Sequence, residues 1–231
     1  MNKWLVGARP RTLPAAIAPV LVATSLAKSE ADFAMAGLAL VVSLALQVGV
    51  NYANDYSDGI KGTDDNRVGP TRLVASGLAS AKSVKQAAFI SFVVAAVVGL
   101  ALAQLTSLWL IAVGAAAIFA AWTYTGSKRP YGYLGLGEIS VFLFFGVVAT
   151  MGSYYVQTEK LTWQSFVVSI PMGSLACAIL AINNLRDRAQ DEIVGKRTMA
   201  VRLGDKGARV LYISLLISAH LFALLTFRTF A

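Results

Sequence analysis

The sequence predicts an all-α protein, a polytopic bundle of transmembrane helices, and three observations lead to this fold class. Hydrophobic residues make up 57% of the chain, and the mean hydropathy is +0.64. Charged residues make up only 14%, whereas soluble globular proteins average about 25%. The apolar residues also collect in runs of about 20, the length that spans a hydrocarbon core as a helix.

Seven such runs follow one another along the chain. We expect seven membrane-spanning helices, at 12–28, 33–53, 84–104, 107–124, 136–156, 162–182 and 207–227. We expect the first helix to begin at Thr12-Leu-Pro14. Pro14 is compatible with this start because proline is tolerated in the first turn of a helix. The polar stretches between the runs leave no room for a soluble domain, so the sequence indicates one transmembrane domain over residues 1–231.

The basic residues predict how the helices are oriented. If seven spans alternate, all basic residues except Lys28, Lys160 and Arg228 fall on the same side of the membrane. Lys and Arg collect in cytoplasmic loops, so we expect an integral protein of the bacterial cytoplasmic membrane with a cytoplasmic N-terminus. The same distribution assigns the net charge of +8 to membrane topology rather than to a nucleic-acid partner. The lipid bilayer is the predicted partner.

Two polar clusters follow the second and sixth apolar runs and are predicted to face the cytoplasm. A carboxylate within the membrane costs about 2.5–3.5 kcal/mol even on lenient insertion scales, so carboxylates kept there usually bind something. The first cluster contains Asn51, Asn54, Asp55, Asp58 and Asp64, and the second contains Asn183, Asn184, Arg186, Asp187 and Asp191.

The spacing within each cluster places oxygen ligands on one helical face. Positions three or four apart are neighbours on a helix, so Asn51, Asp55 and Asp58 share one face. By the same rule Asn184, Asp187 and Asp191 share another, with Asn183 beside it. Such oxygens suit Mg²⁺, which is held by one or two carboxylates together with substrate phosphates. Histidine and cysteine are absent from both clusters, which argues against zinc. The predicted metal ligands are Asp55, Asp58, Asp64, Asp187 and Asp191.

Cations near the clusters predict a phosphorylated ligand. Arg72 and Arg129 each adjoin a Pro/Gly turn, and arginine grips phosphate oxygens with two parallel hydrogen bonds. The alternative is that the basic residues only fix the membrane topology. Tyr124 and other aromatic residues near the clusters either form a belt at the lipid headgroups or line a cavity that stabilises a cation. The further candidate ligand-binding residues are Lys61, Lys128, Arg186 and Lys196.

At these residues the chain resembles the intramembrane aromatic prenyltransferases of the UbiA-type superfamily. Asn54-Asp55-Tyr-Ser-Asp58 with Asp64 is similar to their first Asp-rich motif, and Asp187-Arg-Ala-Gln-Asp191 is similar to their second. Four further stretches look like the branch that prenylates 1,4-dihydroxy-2-naphthoate in menaquinone biosynthesis. They are Ala8-Arg9-Pro-Arg11-Thr-Leu-Pro14, Gly69-Pro-Thr-Arg72-Leu-Val-Ala-Ser-Gly77, Tyr124-Thr-Gly with Arg129-Pro-Tyr-Gly-Tyr-Leu-Gly-Leu-Gly-Glu138, and Gly195-Lys-Arg-Thr-Met-Ala-Val-Arg202-Leu-Gly204.

The resemblance implies a reaction and its site. A polyprenyl chain passes from an allylic polyprenyl diphosphate to 1,4-dihydroxy-2-naphthoate, with Mg²⁺ as cofactor and with loss of CO₂ and diphosphate, to give demethylmenaquinone. Arg72 and Arg129 would stabilise the departing diphosphate, together with metal held by Asp55, Asp58, Asp187 and Asp191. Arg11 is the favoured partner of the acceptor's carboxylate. Family members resemble a bundle of nine helices, so this chain is expected to lack the C-terminal helices.

Other functions stay open from the sequence. The acceptor could be 4-hydroxybenzoate, another phenol or a phosphosugar. The chain could also be a truncated form that binds isoprenoid diphosphate without turnover. A divalent-cation transporter is disfavoured, because its acidic site should lie near the bilayer midplane on broken helices.

Overall fold

A computed structural model describes residues 2–63 and 69–230, with side chains up to residue 226. The described part is helical and contains no strand. The helices are α1 (Lys3–Ala8), α2 (Pro14–Ala27), α3 (Phe33–Ile60), α4 (Ala81–Leu105), α5 (Leu110–Thr123), α6 (Gly137–Val141), α7 (Ala149–Thr158), α8 (Trp163–Ile193) and α9 (Met199–Phe230). A π-helical segment, Phe142–Val148, joins α6 to α7, so Gly137–Thr158 forms one continuous rod.

The predicted helical membrane bundle is confirmed, whereas the predicted count of seven spans is not. Within the described residues, five helices are long and apolar enough to cross a membrane: α3, α4, the rod Gly137–Thr158, α8 and α9. A bent pair, Lys3–Thr12 with Pro14–Glu30, meets at 51° and can be counted as a sixth. The predicted span 107–124 corresponds to α5, whose 14 residues extend about 21 Å, less than the ~30 Å hydrocarbon core.

Local sequence explains where the long helices begin. Asp32 caps α3, because its Oδ1 accepts hydrogen bonds from the backbone amides of Ala34 and Met35. Thr162 and Ser165 form a capping box at the start of α8, with each side chain bonded to the other's backbone amide. Gly204 has a positive φ of 68° and breaks α9 into a short first segment and a long apolar one.

Both acidic clusters lie on helices that continue past their predicted ends. α3 has 28 residues and α8 has 31, so they extend about 42 Å and about 46 Å, well beyond a hydrocarbon core of about 30 Å. We predicted that the two spans end at residues 53 and 182, but the helices continue to Ile60 and Ile193. The cluster residues from Asn51 to Asp58 and from Asn183 to Asp191 therefore lie in the last turns of two long helices, which agrees with the helical faces predicted from their spacing.

Small residues allow α8 and the rod Gly137–Thr158 to pack closely. A Cβ atom added to Gly146, in the π-helical segment, would lie 2.5 Å from the Cα atom of Gly173 in α8. Ser169 and Ser174 of α8 are buried near this crossing. Small residues let helix backbones approach one another in membranes, where packing contributes much of the association energy. The crossing fixes α8 against the rod that faces α3.

We expect Gly146→Ala to destabilise the bundle by about 1–3 kcal/mol, because the added methyl group meets backbone that cannot move aside. Gly37→Ala in α3 is the matched control, since a Cβ there has no atom within 4 Å. The control should be neutral or stabilising by about 0.5–1 kcal/mol, because alanine favours a helix. Thermal unfolding of the detergent-solubilised variants measures both effects, and equal melting temperatures would contradict the close crossing.

Candidate active site

The ends of α3 and α8 are joined by one buried lysine. The Nζ atom of Lys196 lies 3.2 Å from Asp58 Oδ2 and 4.0 Å from Asp191 Oδ1. All three residues are buried, with 4% of Asp58, 8% of Asp191 and 7% of Lys196 exposed. The backbone amide of Lys196 also donates to the carbonyl of Asp191, at 2.8 Å. The structure therefore brings one carboxylate of each predicted cluster to a common cation.

Tyr133 organises the same centre and was not selected as a site residue from the sequence. Its hydroxyl donates a 2.5 Å hydrogen bond to Asp58 Oδ1. Its ring centroid lies 4.7 Å from Lys196 Nζ and 5.0 Å from Lys61 Nζ. Both ammonium groups are within the range of a cation–π contact. Tyr133 thus positions one carboxylate and two cations at once.

Lys61 lies at the C-terminal end of α3 and directs its ammonium group towards this centre. Its Nζ donates to the carbonyl of Thr125 at 2.8 Å. Burial lowers the pKa of Lys61; Asp58 raises this pKa in part, and the charge of Lys196 lowers it again. The ammonium group of Lys61 therefore loses its proton at a lower pH than an ordinary lysine does.

Asp55 is completely buried and has a different environment from Asp58. Its Oδ2 accepts from the amide of Leu73 at 2.8 Å, and its Oδ1 accepts from the amide of Val74 at 3.0 Å. Both carboxylate oxygens are therefore bonded to the turn that follows Arg72, which is itself buried. This geometry fixes the turn against α3, and the metal-ligand role of Asp55 stays a prediction.

The two asparagines of the first cluster also hold neighbouring segments in place. Asn51 Nδ2 donates to the carbonyl of Ala8 at 2.9 Å and to Thr12 Oγ1 at 3.1 Å, which fixes the bend between α1 and α2. Asn54 Oδ1 accepts a 2.7 Å hydrogen bond from the hydroxyl of Thr125. The first cluster is therefore tied to the N-terminal helices and to the loop that follows α5.

The other side chains of the second cluster have three different surroundings. Asn184 Nδ2 donates to Glu138 Oε1 at 3.0 Å, which connects α8 with the start of α6. Asp187 accepts two hydrogen bonds from the neighbouring guanidinium of Arg186, at 2.7 and 2.8 Å. Asn183 instead faces a cavity in the bundle.

The remaining predicted site residues are more peripheral. Lys128 and Arg129 are exposed on the loop after α5, and Asp64 lies outside the described residues. Arg11 is exposed, whereas Arg9 lines the cavity and donates from Nη2 to the carbonyl of Asn51 at 3.1 Å. The sequence favoured Arg11 for the acceptor, but Arg9 is the arginine of this pair that reaches the cavity.

The cavity has a volume of about 300 Å³ and lies among α2, α3, α4, α5, α8 and the rod Gly137–Thr158. Its lining changes from polar to apolar along its length. The polar part includes Arg9, Asn51, Asn54, Tyr124 and Asn183, and the apolar part includes Val42, Leu102, Val113, Phe144 and Val156. On α3 the lining runs from Asn54 to Ala39, which corresponds to about 22 Å of helix.

The two carboxylates beside Lys196 fit a magnesium ion that is shared with a phosphate. Asp58 and Asp191 offer hard oxygen atoms, and both carboxylates lie against the same ammonium group. In the described part of the chain no three His, Cys, Asp or Glu side chains form a closed metal cluster. Mg²⁺ does not require one, because it is commonly held by one or two carboxylates with substrate phosphates and water.

Comparison with known proteins identifies the family. Residues 16–231 match the model of the UbiA prenyltransferase family. A Mycobacterium tuberculosis protein named 1,4-dihydroxy-2-naphthoate octaprenyltransferase is 53% identical over 216 residues, which cover 93% of this chain and 74% of that protein. An Escherichia coli protein of the same name is 41% identical and is matched over 73% of its length by 94% of this chain.

A solved structure reported under the name digeranylgeranylglyceryl phosphate synthase has a similar fold. The two chains align with a TM-score of 0.62 at 16% identity, over 97% of this chain and 76% of the other. This likeness concerns the fold, whereas the family rests on the sequence matches. The chain belongs to the UbiA prenyltransferase family.

Proposed function

We propose that the protein transfers a polyprenyl chain from an allylic polyprenyl diphosphate to 1,4-dihydroxy-2-naphthoate with loss of CO₂ and diphosphate, giving demethylmenaquinol, the reduced form of demethylmenaquinone. One observation carries this proposal: a cavity inside a membrane bundle has a polar end and an apolar interior, and Thr125 connects the polar end to the charged centre. The hydroxyl of Thr125 is bonded to Asn54, which lines the cavity, and its carbonyl accepts from Lys61. Such a cavity suits a substrate with a charged head and a long apolar tail. The names of the relatives at 41–53% identity support the naphthoate as acceptor.

The charged groups at the polar end would bind the diphosphate and stabilise it as it leaves. Mg²⁺, held by Asp58 and Asp191, would neutralise charge on the diphosphate oxygens. Lys61 and Lys196 add two ammonium groups within 5.0 Å of the Tyr133 ring centroid. Fixed cations aimed at developing negative charge stabilise a transition state more than mobile water does. Asp55 would act by holding the turn after Arg72 rather than by binding metal.

The apolar cavity would control the fate of the allylic carbon. The bond between this carbon and the diphosphate oxygen breaks, and a bond forms to the naphthoate carbon that bears the carboxylate. CO₂ then leaves that carbon. Phe144, Val113 and Leu102 line the apolar cavity and would keep water from capturing the electron-poor carbon. Arg9 would pair with the acceptor's carboxylate, because it lines the same cavity.

We propose that α5 is a short seventh span, which would give the seven crossings expected from the sequence. Seven crossings would place the N-terminus and both acidic clusters on the cytoplasmic side with most of the basic residues. The whole chain would then form one domain, and the nine-helix family architecture would need two further helices.

The direct test is a membrane assay with radiolabelled polyprenyl diphosphate, 1,4-dihydroxy-2-naphthoate and Mg²⁺. We expect labelled demethylmenaquinol, which air oxidises to demethylmenaquinone during extraction, and we expect EDTA to abolish it. A parallel reaction with 4-hydroxybenzoate tests the acceptor. Labelled product with that phenol alone would contradict the proposed acceptor, and product that persists in EDTA would contradict the metal requirement.

Asp58→Asn and Asp191→Asn should each reduce turnover by about 10²-fold or more, because each removes a charge that holds metal and diphosphate. Asp205→Asn is the matched control, since Asp205 is exposed and is paired with Arg209 at 2.7 Å. The control should keep nearly normal turnover. The rate of product formation in membranes, normalised to the inserted protein, measures the effect. Normal rates in both site variants would eliminate the proposed metal site.

Arg9→Gln should raise KM for the naphthoate by about tenfold or more, because a charge-assisted hydrogen bond to its carboxylate is lost. Arg11→Gln should change that KM by less than about twofold, because an exposed ion contact contributes little. Steady-state kinetics with saturating diphosphate separates the two variants. The opposite ranking would restore Arg11 as the acceptor's partner.

The lowered pKa of Lys61 should make diphosphate binding weaken as the pH rises. Deprotonation removes the positive charge, so KM for the polyprenyl diphosphate should increase at a pH below the ordinary lysine pKa of about 10.4. Lys61→Arg should flatten this rise, because arginine stays charged throughout the range. An identical pH profile in wild type and variant would show that another group titrates.

A further inference from the structure

Lys196 is held in place by backbone and directs its side chain at the two acidic helix ends. Its amide is bonded to the carbonyl of Asp191, and the next amide, of Arg197, donates to the carbonyl of Tyr133 at 2.9 Å. The backbone of Lys196 is therefore fixed by two segments of the site. Its ammonium group lies between the carboxylates of Asp58 and Asp191.

A metal ion shared by Asp58 and Asp191 would need the space near both carboxylates. The ammonium group of Lys196 is 3.2 Å from one of them and 4.0 Å from the other. Two cations brought this close repel strongly in a buried site, where the effective dielectric constant is far below that of water. Metal and ammonium group therefore exclude one another from the carboxylate pair.

We propose that the ammonium group of Lys196 competes with the metal for the carboxylates of Asp58 and Asp191. It moves away from both carboxylates when metal binds together with diphosphate. This inference rests on the proposed metal-dependent transfer. The displaced ammonium group becomes a cation for the diphosphate, so the substrate head group accommodates both positive charges. Metal alone then binds weakly, and diphosphate strengthens its binding.

The surroundings of Lys196 allow this displacement. A lysine side chain is a compact charge on a flexible four-carbon stem, so the ammonium group can move while the backbone stays bonded. The ring of Tyr133, with its centroid 4.7 Å from the ammonium group, offers an alternative contact beside the carboxylates. Lys61 supplies a second ammonium group at this ring, so an anion bound there would contact two lysines.

A purely structural ion pair would behave differently. If Lys196 only holds α3 and α8 together, its neutral variants should weaken metal binding, because the two ligands separate. If Lys196 competes with the metal, its neutral variants should strengthen the binding of metal alone. The sign of the change distinguishes the two roles.

The first experiment measures Mn²⁺ affinity by electron paramagnetic resonance on the purified full chain without diphosphate. Lys196→Met should tighten Mn²⁺ binding by about tenfold or more, since a neighbouring like charge is removed. Lys206→Met, at an exposed lysine of α9, is the matched control and should leave the affinity unchanged. Unchanged or weaker Mn²⁺ binding by Lys196→Met overturns the inference, and so does a lack of Mn²⁺ binding by both wild type and variant.

The second experiment needs no substitution, and so it applies even if Lys196→Met does not fold. Wild-type protein is treated with a lysine-acylating reagent, and mass spectrometry follows the rate at each lysine. Mn²⁺ without diphosphate, at a concentration that saturates the site measured in the first experiment, should raise the rate at Lys196 several-fold, because the displaced ammonium group leaves its carboxylates, while the rate at Lys206 stays constant. An unchanged or slower rate at Lys196 overturns the inference. The proposed function is judged separately, by EDTA-sensitive prenyl transfer.

Discussion

Two buried carboxylates that need a shared cation determine the organisation of this bundle's polar end. Asp58 and Asp191 come from helices far apart in sequence, and neither could stay charged and buried without a partner. Lys196 satisfies both, and its own backbone is bonded to the end of α8. Breaking a buried charge pair leaves an uncompensated charge, so the helix ends are held together strongly. The loops that carry Tyr133 and Lys61 pack around this centre.

The lengths of α3 and α8 determine how deep in the membrane the charged centre at their ends lies. α3 and α8 are longer than a hydrocarbon core is thick, so their last turns can leave the apolar region while their middle turns line the cavity. The polar and apolar parts of one cavity therefore follow from two continuous helices. A substrate with a charged head and an apolar tail would meet both parts without leaving the membrane. The close contact of Gly146 with α8 supports the wall of that cavity.

The sequence was sufficient for the fold class and the family, and it identified two clusters whose residues Asp58 and Asp191 meet at Lys196. Hydropathy locates helices because every backbone polar group in lipid must be bonded internally. It predicted apolar spans that end at residues 53 and 182, and the polar last turns of α3 and α8 were indicated only by the helical spacing of the clusters, because these turns carry no apolar signal. Hydropathy also predicted a span that contains α5, but not the short length of this helix, because flanking apolar residues extend the run beyond the helix.

The sequence alone could not predict the roles of residues that depend on tertiary contacts. The hydroxyl of Tyr133 bonds to a carboxylate 75 residues away, and no local pattern marks that pairing. Helical spacing placed Asp55 on the face of Asp58, yet the turn after Arg72 takes both oxygens of Asp55. Arg9 and Arg11 are equivalent by composition, and only the bend between α1 and α2 decides which of them reaches the cavity.

The most direct test of the shared centre is a double-mutant cycle on Mn²⁺ affinity with Asp58→Asn and Asp191→Asn, measured with diphosphate present. A shared centre should make the double variant lose little more affinity than either single variant, whereas fully additive losses would show that the two carboxylates act at separate sites.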